Sequence, residues 1–360
     1  MPSSPRYDSI VSRLSQQLPQ LRPRLLTPLA LALTGISQSV SALQDAAAAA
    51  MPLPTKQASK RQRLRRLLDN AKLTAEGIYQ PIVKQALDGL KRQRVHLLLD
   101  RVVLTSSQNL LVVSVGFRRR SLPLVWRVLE HQGSSSLDDQ KALLSTAASL
   151  LPDGVRIIVH ADSEFRSVSL FGWIRKQGWS AMLGIRGNLL VSSTPDRPGQ
   201  ALSTWLPDRD SVAYLNEVWL REDRIGPVNV LAWWDRNDRG ELICYGVMTD
   251  LAARWQTYQL GKRRMWIETL FRDWQSSGFE LHKSGIREHE RFWRLLVLVC
   301  LVYVWFVSVG RWLVKRGYRC LIDAGSAERW QWSLFSLAVC WQRRRESFAQ
   351  QMAVFWKLYL

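Results

Sequence analysis

Three carboxylates in this 360-residue chain sit where an acid needs a physical reason to be. Asp100 lies inside the apolar run VHLLLDRVVL (95–104). Burying an ionised carboxylate in such a strand is expensive unless a cation compensates it. A strand-end Asp taking backbone or Arg hydrogen bonds is the competing explanation, and the apolar residues on both sides weaken it. Asp162 ends a second apolar run, VRIIVHAD (155–162). That is the carboxyl edge of a strand, where α/β sheets carry their functional groups; a helix N-cap explains Asp162 equally well. Glu164 competes with it, and Asp162 is preferred because it terminates the run. Glu268 falls on RRMWIETLFRDWQSSGF (263–279), beside the helical stripe Ile267, Leu270, Phe271 and Trp274. Arg264 and Arg272 lie one turn before and after it, so taken alone it is an ordinary salt-bridge ladder. As a set, the three acids offer hard oxygen ligands suited to Mg²⁺ or Mn²⁺ rather than zinc. Two such ions about 4 Å apart activate a water or 3′-hydroxyl and stabilise the leaving oxygen of an in-line displacement at phosphorus.

The elements that must bring these acids together can be read from periodicity. Residues 95–104, 110–117 and 121–130 are rich in β-branched and aromatic residues and separated by short polar turns, so they predict an antiparallel meander. Ser136 with Asp139 starts a helix that ends near Pro152. A buried strand follows at 155–162, then a helix on EFRSVSLFGWIRKQG and a strand on WSAMLGIR. Three strands, helix, strand, helix, strand is the order of an RNase H-like core. Between 187 and 255, prolines and turn residues separate short strands such as SVAYLNEVWL, NVLAWWD and LICYGVMT, which predicts an all-β insertion. Helical patterning resumes near Arg263. The predicted fold class is therefore α/β, an RNase H-like mixed sheet with helices, a helical N-terminal domain and an all-β insertion.

Charge narrows the partner. Fifty Lys and Arg against thirty Asp and Glu leave a net charge of +20, which points to a polyanion, either nucleic acid or an anionic membrane surface. In KQASKRQRLRRLLDN the leucines 64, 67 and 68 form a helical stripe, while Lys60, Arg61, Arg63, Arg65 and Arg66 cover much of the remainder. Five cations in seven positions, with no carboxylate until Asp69, favour phosphate contact over a merely solvated face. The four cysteines form no C-x-x-C pair, which argues against structural zinc and fits a reducing cytoplasm, and the N-terminus carries no apolar signal core. Leu295 to Gly310 runs sixteen residues without a charge. That is short of the roughly 20 residues a spanning helix needs and reads as a buried core helix.

With these stretches in view, the chain resembles the bacterial insertion-sequence DDE transposases whose third motif is Tyr-x2-Arg-x3-Glu-x6-Lys. The similarity runs from about residue 20 to 310 and is carried by LLLDRVVL, RSLPLVWRVL, HADSEF and RRMWIETLFRDW…GFEL. It implies that Asp100, Asp162 and Glu268 are the catalytic, metal-binding triad with two Mg²⁺ (or Mn²⁺) ions, and that Arg264 is the motif arginine. Gly261 stands at the motif Tyr position, with Tyr258 upstream, and Gln275 at the Lys position. The family's residues there contact transposon-end phosphates, so Arg263, Arg264, Arg272 and Gln275 are the expected DNA contacts at this end, with Lys283 as a further substitute. The implied organisation is a helical DNA-binding region at 1–90, a catalytic core at 91–186 and 256–310 split by the β insertion at 187–255, and a basic helical tail at 311–360 that includes Arg343, Arg344 and Arg345. The implied partners are double-stranded DNA, as terminal inverted repeats and target, and a second copy of the chain in a synaptic homodimer. The implied location is the bacterial cytoplasm, at the nucleoid.

Seventeen tryptophans are many for this length, and most are expected in the core. The family stacks a flipped base on an aromatic of the insertion, for which Tyr245, Trp233 and Trp234 are candidates, with core packing the competing role for each. The five histidines show no ligand spacing; His160, two before Asp162, shares its face of the strand and reads first as a packed strand residue. The alternatives to a working transposase are a catalytically decayed or domesticated DNA-binding descendant and a membrane-associated basic protein using 295–310.

Overall fold

The computed structural model describes residues 4–342 apart from 91–92, 132, 223, 238 and 324–331. The chain opens with helices: α1 (Pro5–Gln17), α2 (Pro23–Ser39), α3 (Gln44–Ala49), α4 (Gln57–Leu68) and α5 (Gln80–Leu87). Ser4 caps α1 by accepting from the Tyr7 amide, and Pro5 and Pro23 open α1 and α2, positions where the missing N–H costs nothing. The predicted leucine stripe of α4 is buried, with Leu64, Leu67 and Leu68 at most 3% exposed, which turns Arg63, Arg65 and Arg66 outward.

The meander follows as β1 (Arg94–Thr105), β2 (Gln108–Phe117) and β3 (Arg120–Leu129). Then come α6 (Leu137–Ser149), β4 (Arg156–Ala161), α7 (Val168–Lys176) and β5 (Ser180–Arg186). Ser136 caps α6 through the Asp139 amide, as its sequence predicts. The strand order β3-β2-β1-β4-β5, with β1 parallel to β4 and β4 parallel to β5, is that of an RNase H-like core. The insertion supplies β6 (Leu190–Ser192), β7 (Gln200–Ala201), β8 (Val212–Leu220), β9 (Ile225–Arg236) and β10 (Leu242–Thr249). β10 pairs antiparallel with β5, Tyr245 opposite Arg186, so the insertion continues the core sheet to ten strands, in the order β3-β2-β1-β4-β5-β10-β9-β8-β6-β7. Sequence periodicity alone had shown strands there without showing which edge they join.

The described residues end in α8 (Trp255–Gly261), α9 (Trp266–Trp274), α10 (His289–Lys315) and α11 (Leu334–Gln342). Among the described residues α10 is the one helix long and apolar enough to cross a membrane, with a mean hydropathy of 2.2 over its best window. Protein covers 89% of that window, and α10 packs against α2, α11 and β3. It runs to Lys315, past the Gly310 that closes the uncharged stretch. The expected arginines 343–345 and the rest of the tail beyond 342 lie outside the described residues.

Candidate active site

Two neighbouring parallel strands deliver the first two acids. The β1–β4 register pairs Leu99 with Ala161, so the next residue on each chain is Asp100 and Asp162. Parallel strands lie about 4.8 Å apart, which sets the two carboxylates side by side at one edge of the sheet. Asp162 follows the last residue of β4 and caps a short 3-10 turn, its Oδ1 accepting from the Ser163 amide at 2.6 Å. The capping role weighed against function is therefore real, and it uses one of the two carboxylate oxygens. That turn crosses β5 at Gly184, where a Cβ would lie 2.7 Å from the Ser163 nitrogen. Only a residue without a side chain lets the Asp162 backbone approach so closely.

The third acid comes from α9, whose apolar face docks on the meander through Ile267, Leu270 and Trp274, all fully buried. The same helix is fastened by Asp273, which pairs with Arg120 of β3 at 3.1 Å and accepts from the Tyr303 hydroxyl at 3.4 Å. Burial pushes Asp273 up to about 6, with Arg120 opposing the rise. Docked this way, α9 turns Glu268 toward the acids of the sheet. Arg264 lies at the centre: Nη1 is 3.4 Å from Asp100 Oδ2 and Nη2 is 2.9 Å from Glu268 Oε1. Burial works against its charge, but Asp162, Asp100 and Glu268 outweigh burial and raise its pKa.

Asp100 is strongly perturbed by its surroundings. Burial pushes it up to about 7, against the lowering effect of Arg264 and the Arg101 amide, with Asp162 and Glu268 adding to the rise. Glu164, the competitor in sequence, is held elsewhere: Arg101 donates to it through Nε at 2.6 Å and Nη2 at 2.8 Å, a bidentate pair that occupies both oxygens.

A cavity of about 730 Å³ opens over these groups, lined by Asp162, Arg264 and Glu268 and by Trp233, Trp234 and Tyr245 of the insertion. The ring of Tyr245 stacks on Trp233 at 6.1 Å, and Trp233 is itself packed edge-on against Tyr258. Tyr258 is buried beneath the wall rather than standing at the Gly261 position. Arg186 and Arg236 also line the cavity. Nothing in their local sequence marks them, because only the β5–β10–β9 pairing brings them to the acids.

The other expected DNA contacts scatter. Arg272 is exposed and Gln275 closes α9. Lys283 pairs with Glu280 at 2.5 Å. Arg263 does not face the cavity with Arg264; it turns to the Nε2 of His96. On α4, Lys60 donates to the Met51 carbonyl at 2.8 Å and Arg61 pairs with Asp45 at 3.3 Å, while Arg63, Arg65 and Arg66 stay exposed. His96 was missed from sequence as a neighbour of the site. Its spacing, four before Asp100 as His160 is two before Asp162, places both rings on the face that carries the acids.

The donor set suits a hard divalent cation: three carboxylates converge, one of them buried at the cost of a raised pKa. As the side chains stand, no three His, Cys, Asp or Glu residues among those described group tightly enough to hold a metal ion. The reason is geometric, since the Arg264 guanidinium bridges Asp100 and Glu268. A cation site filled by an arginine from the turn that leads into α9 is consistent with that chemistry.

An RNase H-like sheet with one acid inside its first strand, one just past its fourth and one on a later helix defines a class of enzymes acting on phosphodiester bonds of nucleic acids. Residues 114–305 match the family model described as Transposase DDE domain, and the protein belongs to that family. The matched span contains Asp162 and Glu268, whereas Asp100 lies before it. No curated protein matches the chain. Among solved structures, the crystal structure of Marinitoga piezophila Argonaute in complex with 5′ OH guide RNA and target DNA aligns at 9% identity over 66% of this chain and 33% of that one, with a TM-score of 0.27. The aligned region thus spans about a third of that protein's length, and a likeness this slight carries no argument.

Proposed function

We propose that the protein is a DNA transposase that cuts at the ends of its own element and joins the freed 3′-hydroxyls to target DNA, using Asp100, Asp162 and Glu268. The observation that carries this reading is the convergence of the three acids on Arg264 beneath a cavity of about 730 Å³. In the proposed mechanism, two Mg²⁺ or Mn²⁺ ions held by the three carboxylates would lower the pKa of the attacking hydroxyl and stabilise the leaving oxygen. Asp100 and Asp162, on adjacent strands, hold a fixed spacing because the sheet is rigid. Glu268 closes the set from α9. Arg264 neutralises the acids before substrate arrives, then releases Asp100 and Glu268 and turns to a DNA phosphate, where its fork of donors fits two oxygens. Tyr245 and the neighbouring Trp234 offer ring faces for an unstacked base, and Arg186, Arg236 and Arg272 offer charge for the backbone.

In the same proposal the helices of residues 1–90 grip the inverted repeat through Arg63, Arg65 and Arg66, and two copies of the chain pair the two ends. A plasmid carrying the gene with its native flanking DNA tests this in bacterial cells. Excision and reinsertion are expected, with loss of both in Asp100→Asn, Asp162→Asn and Glu268→Gln; excision that survives these substitutions refutes the triad. A second reading, DNA binding without cleavage, is favoured by Gly261 and Gln275, which depart from the motif. It predicts binding to the flanking repeats with no excision.

A further inference from the structure

Directly along the sheet from the acids lies a second polar cluster. His96 Nδ1 and His160 Nε2 are 2.8 Å apart, and both rings are buried, at 3% and 1% exposure. Arg263 reaches His96 Nε2 through Nη1 and lies over the Trp266 ring at 5.3 Å. Trp266 in turn rests on bare backbone, since a Cβ on Gly116 would come within 3.0 Å of its ring. The direction of every hydrogen bond follows from one fact: a guanidinium only donates. His96 must therefore accept at Nε2 and carry its proton on Nδ1. It then donates to His160 Nε2, which leaves the His160 proton on Nδ1, a buried atom with no partner among the described residues. Burial, with Arg263 and Arg94 close by, pushes His96 down to about 3, in keeping with a neutral acceptor.

Arg263 and Arg264 are consecutive residues of the turn that leads into α9. One reaches His96 and the other Asp100, four residues along the same strand and so about 13 Å apart. The turn is thus stretched between two anchors on β1. We propose that His96 and His160 are positioning residues, a fixed-polarity pair that holds Arg263 and thereby sets where Arg264 and Glu268 stand relative to Asp100 and Asp162. Among the described residues no carboxylate takes the place of His96 at Arg263, which suits the role. An acid there would offer Arg264 a competing partner and add like charge beside the triad.

The proposal rests on the reading of Asp100, Asp162 and Glu268 as a divalent-ion site, so its test reads ion binding rather than cleavage. Mn²⁺ is titrated into the full-length protein and the free ion followed by EPR. His96→Leu is expected to weaken Mn²⁺ binding about tenfold, the scale for losing an outer partner of a metal site, with the far-UV CD spectrum retained. Arg263→Leu is expected to give the same loss, the double variant no more than either, and His96→Gln, which keeps an acceptor, to recover most of it. Unchanged affinity in His96→Leu, or losses that multiply in the double variant, overturns the proposal. If His96→Leu does not fold, Arg263→Lys, which keeps a donor, must bind Mn²⁺ more tightly than Arg263→Met, and equal affinities overturn it. Asp100→Asn is titrated alongside. Should it bind Mn²⁺ as the natural protein does, the ion-site reading fails. The pair is then judged on urea unfolding, where the His96 and Arg263 substitutions must couple by about tenfold in the unfolding constant; additive effects overturn it.

Discussion

Replacing Asp100 with Asn should make the metal-free protein more stable, and by an amount that depends on pH. Asp100 has an ordinary value of 3.8 and is pushed up to about 7 in the fold, chiefly by burial. Well below 3.8, at about pH 2.5, the carboxyl is neutral in both folded and unfolded states and costs nothing. As pH rises from 3.8 the unfolded chain ionises while the folded one holds its proton until about 7, so stability is lost across that window and the loss is complete above it. The rise from 3.8 to about 7 corresponds to about 4 kcal/mol at pH 8. Asn keeps the size and removes the charge, so Asp100→Asn should gain about that much at pH 8 and only about 0.5 kcal/mol at pH 4. Urea unfolding in EDTA across this range gives the difference. Added Mn²⁺ should then reverse the ranking, stabilising the natural protein while leaving Asp100→Asn where it was. A gain of the same size at pH 4 and pH 8, or no gain, refutes the account of Asp100 as a carboxylate buried for a cation.

Glu164→Gln should leave excision within a few-fold of normal, because both its oxygens are committed to Arg101, whereas Asp162→Asn should abolish it; the reverse pattern would reassign the second acid. Gly184→Ala should destabilise the protein by about 1–3 kcal/mol, the range for overpacking, and weaken Mn²⁺ binding, since the new Cβ meets the Ser163 backbone at 2.7 Å. Gly261→Ala should do the opposite in thermal denaturation, a gain of about 0.4–1 kcal/mol, because Gly261 is helical and its nearest neighbour would be 3.5 Å from the added carbon. Arg63, Arg65 and Arg66 replaced together by Ala should lower the slope of log affinity for DNA against log salt by about 3 if each meets one phosphate. An unchanged slope in a fluorescence-anisotropy titration would remove α4 from the DNA interface.

Much of the core could be read from periodicity. The meander, the helix capped by Ser136, the apolar strand before Asp162 and the stripe of α9 are local patterns, and local patterns report which face of an element is apolar. They do not report what lies across that face. His96 and His160 are 64 positions apart and meet only through the β1–β4 register. Arg186 and Arg236 reach the cavity only because β10 joins β5 on one side and β9 on the other. The destination of each arginine was equally illegible. Arg263 and Arg264 are identical neighbours, yet one turns to an imidazole and the other to two carboxylates. Glu164 and Asp162 are carboxylates two positions apart, and the Arg101 fork separates them.

What the sequence by itself determined, then, is the kinds of residue available and the elements that carry them: a basic chain, an α/β order of elements, and acids placed in apolar surroundings at costs that call for compensation. Tertiary structure decided which of those acids share a space and what fills it. A carboxylate in an apolar strand is an energetic debt visible from one dimension. The guanidinium that offsets it comes from 164 residues away, through a helix docked by its opposite face, and only the packed sheet sets that distance at 3.4 Å.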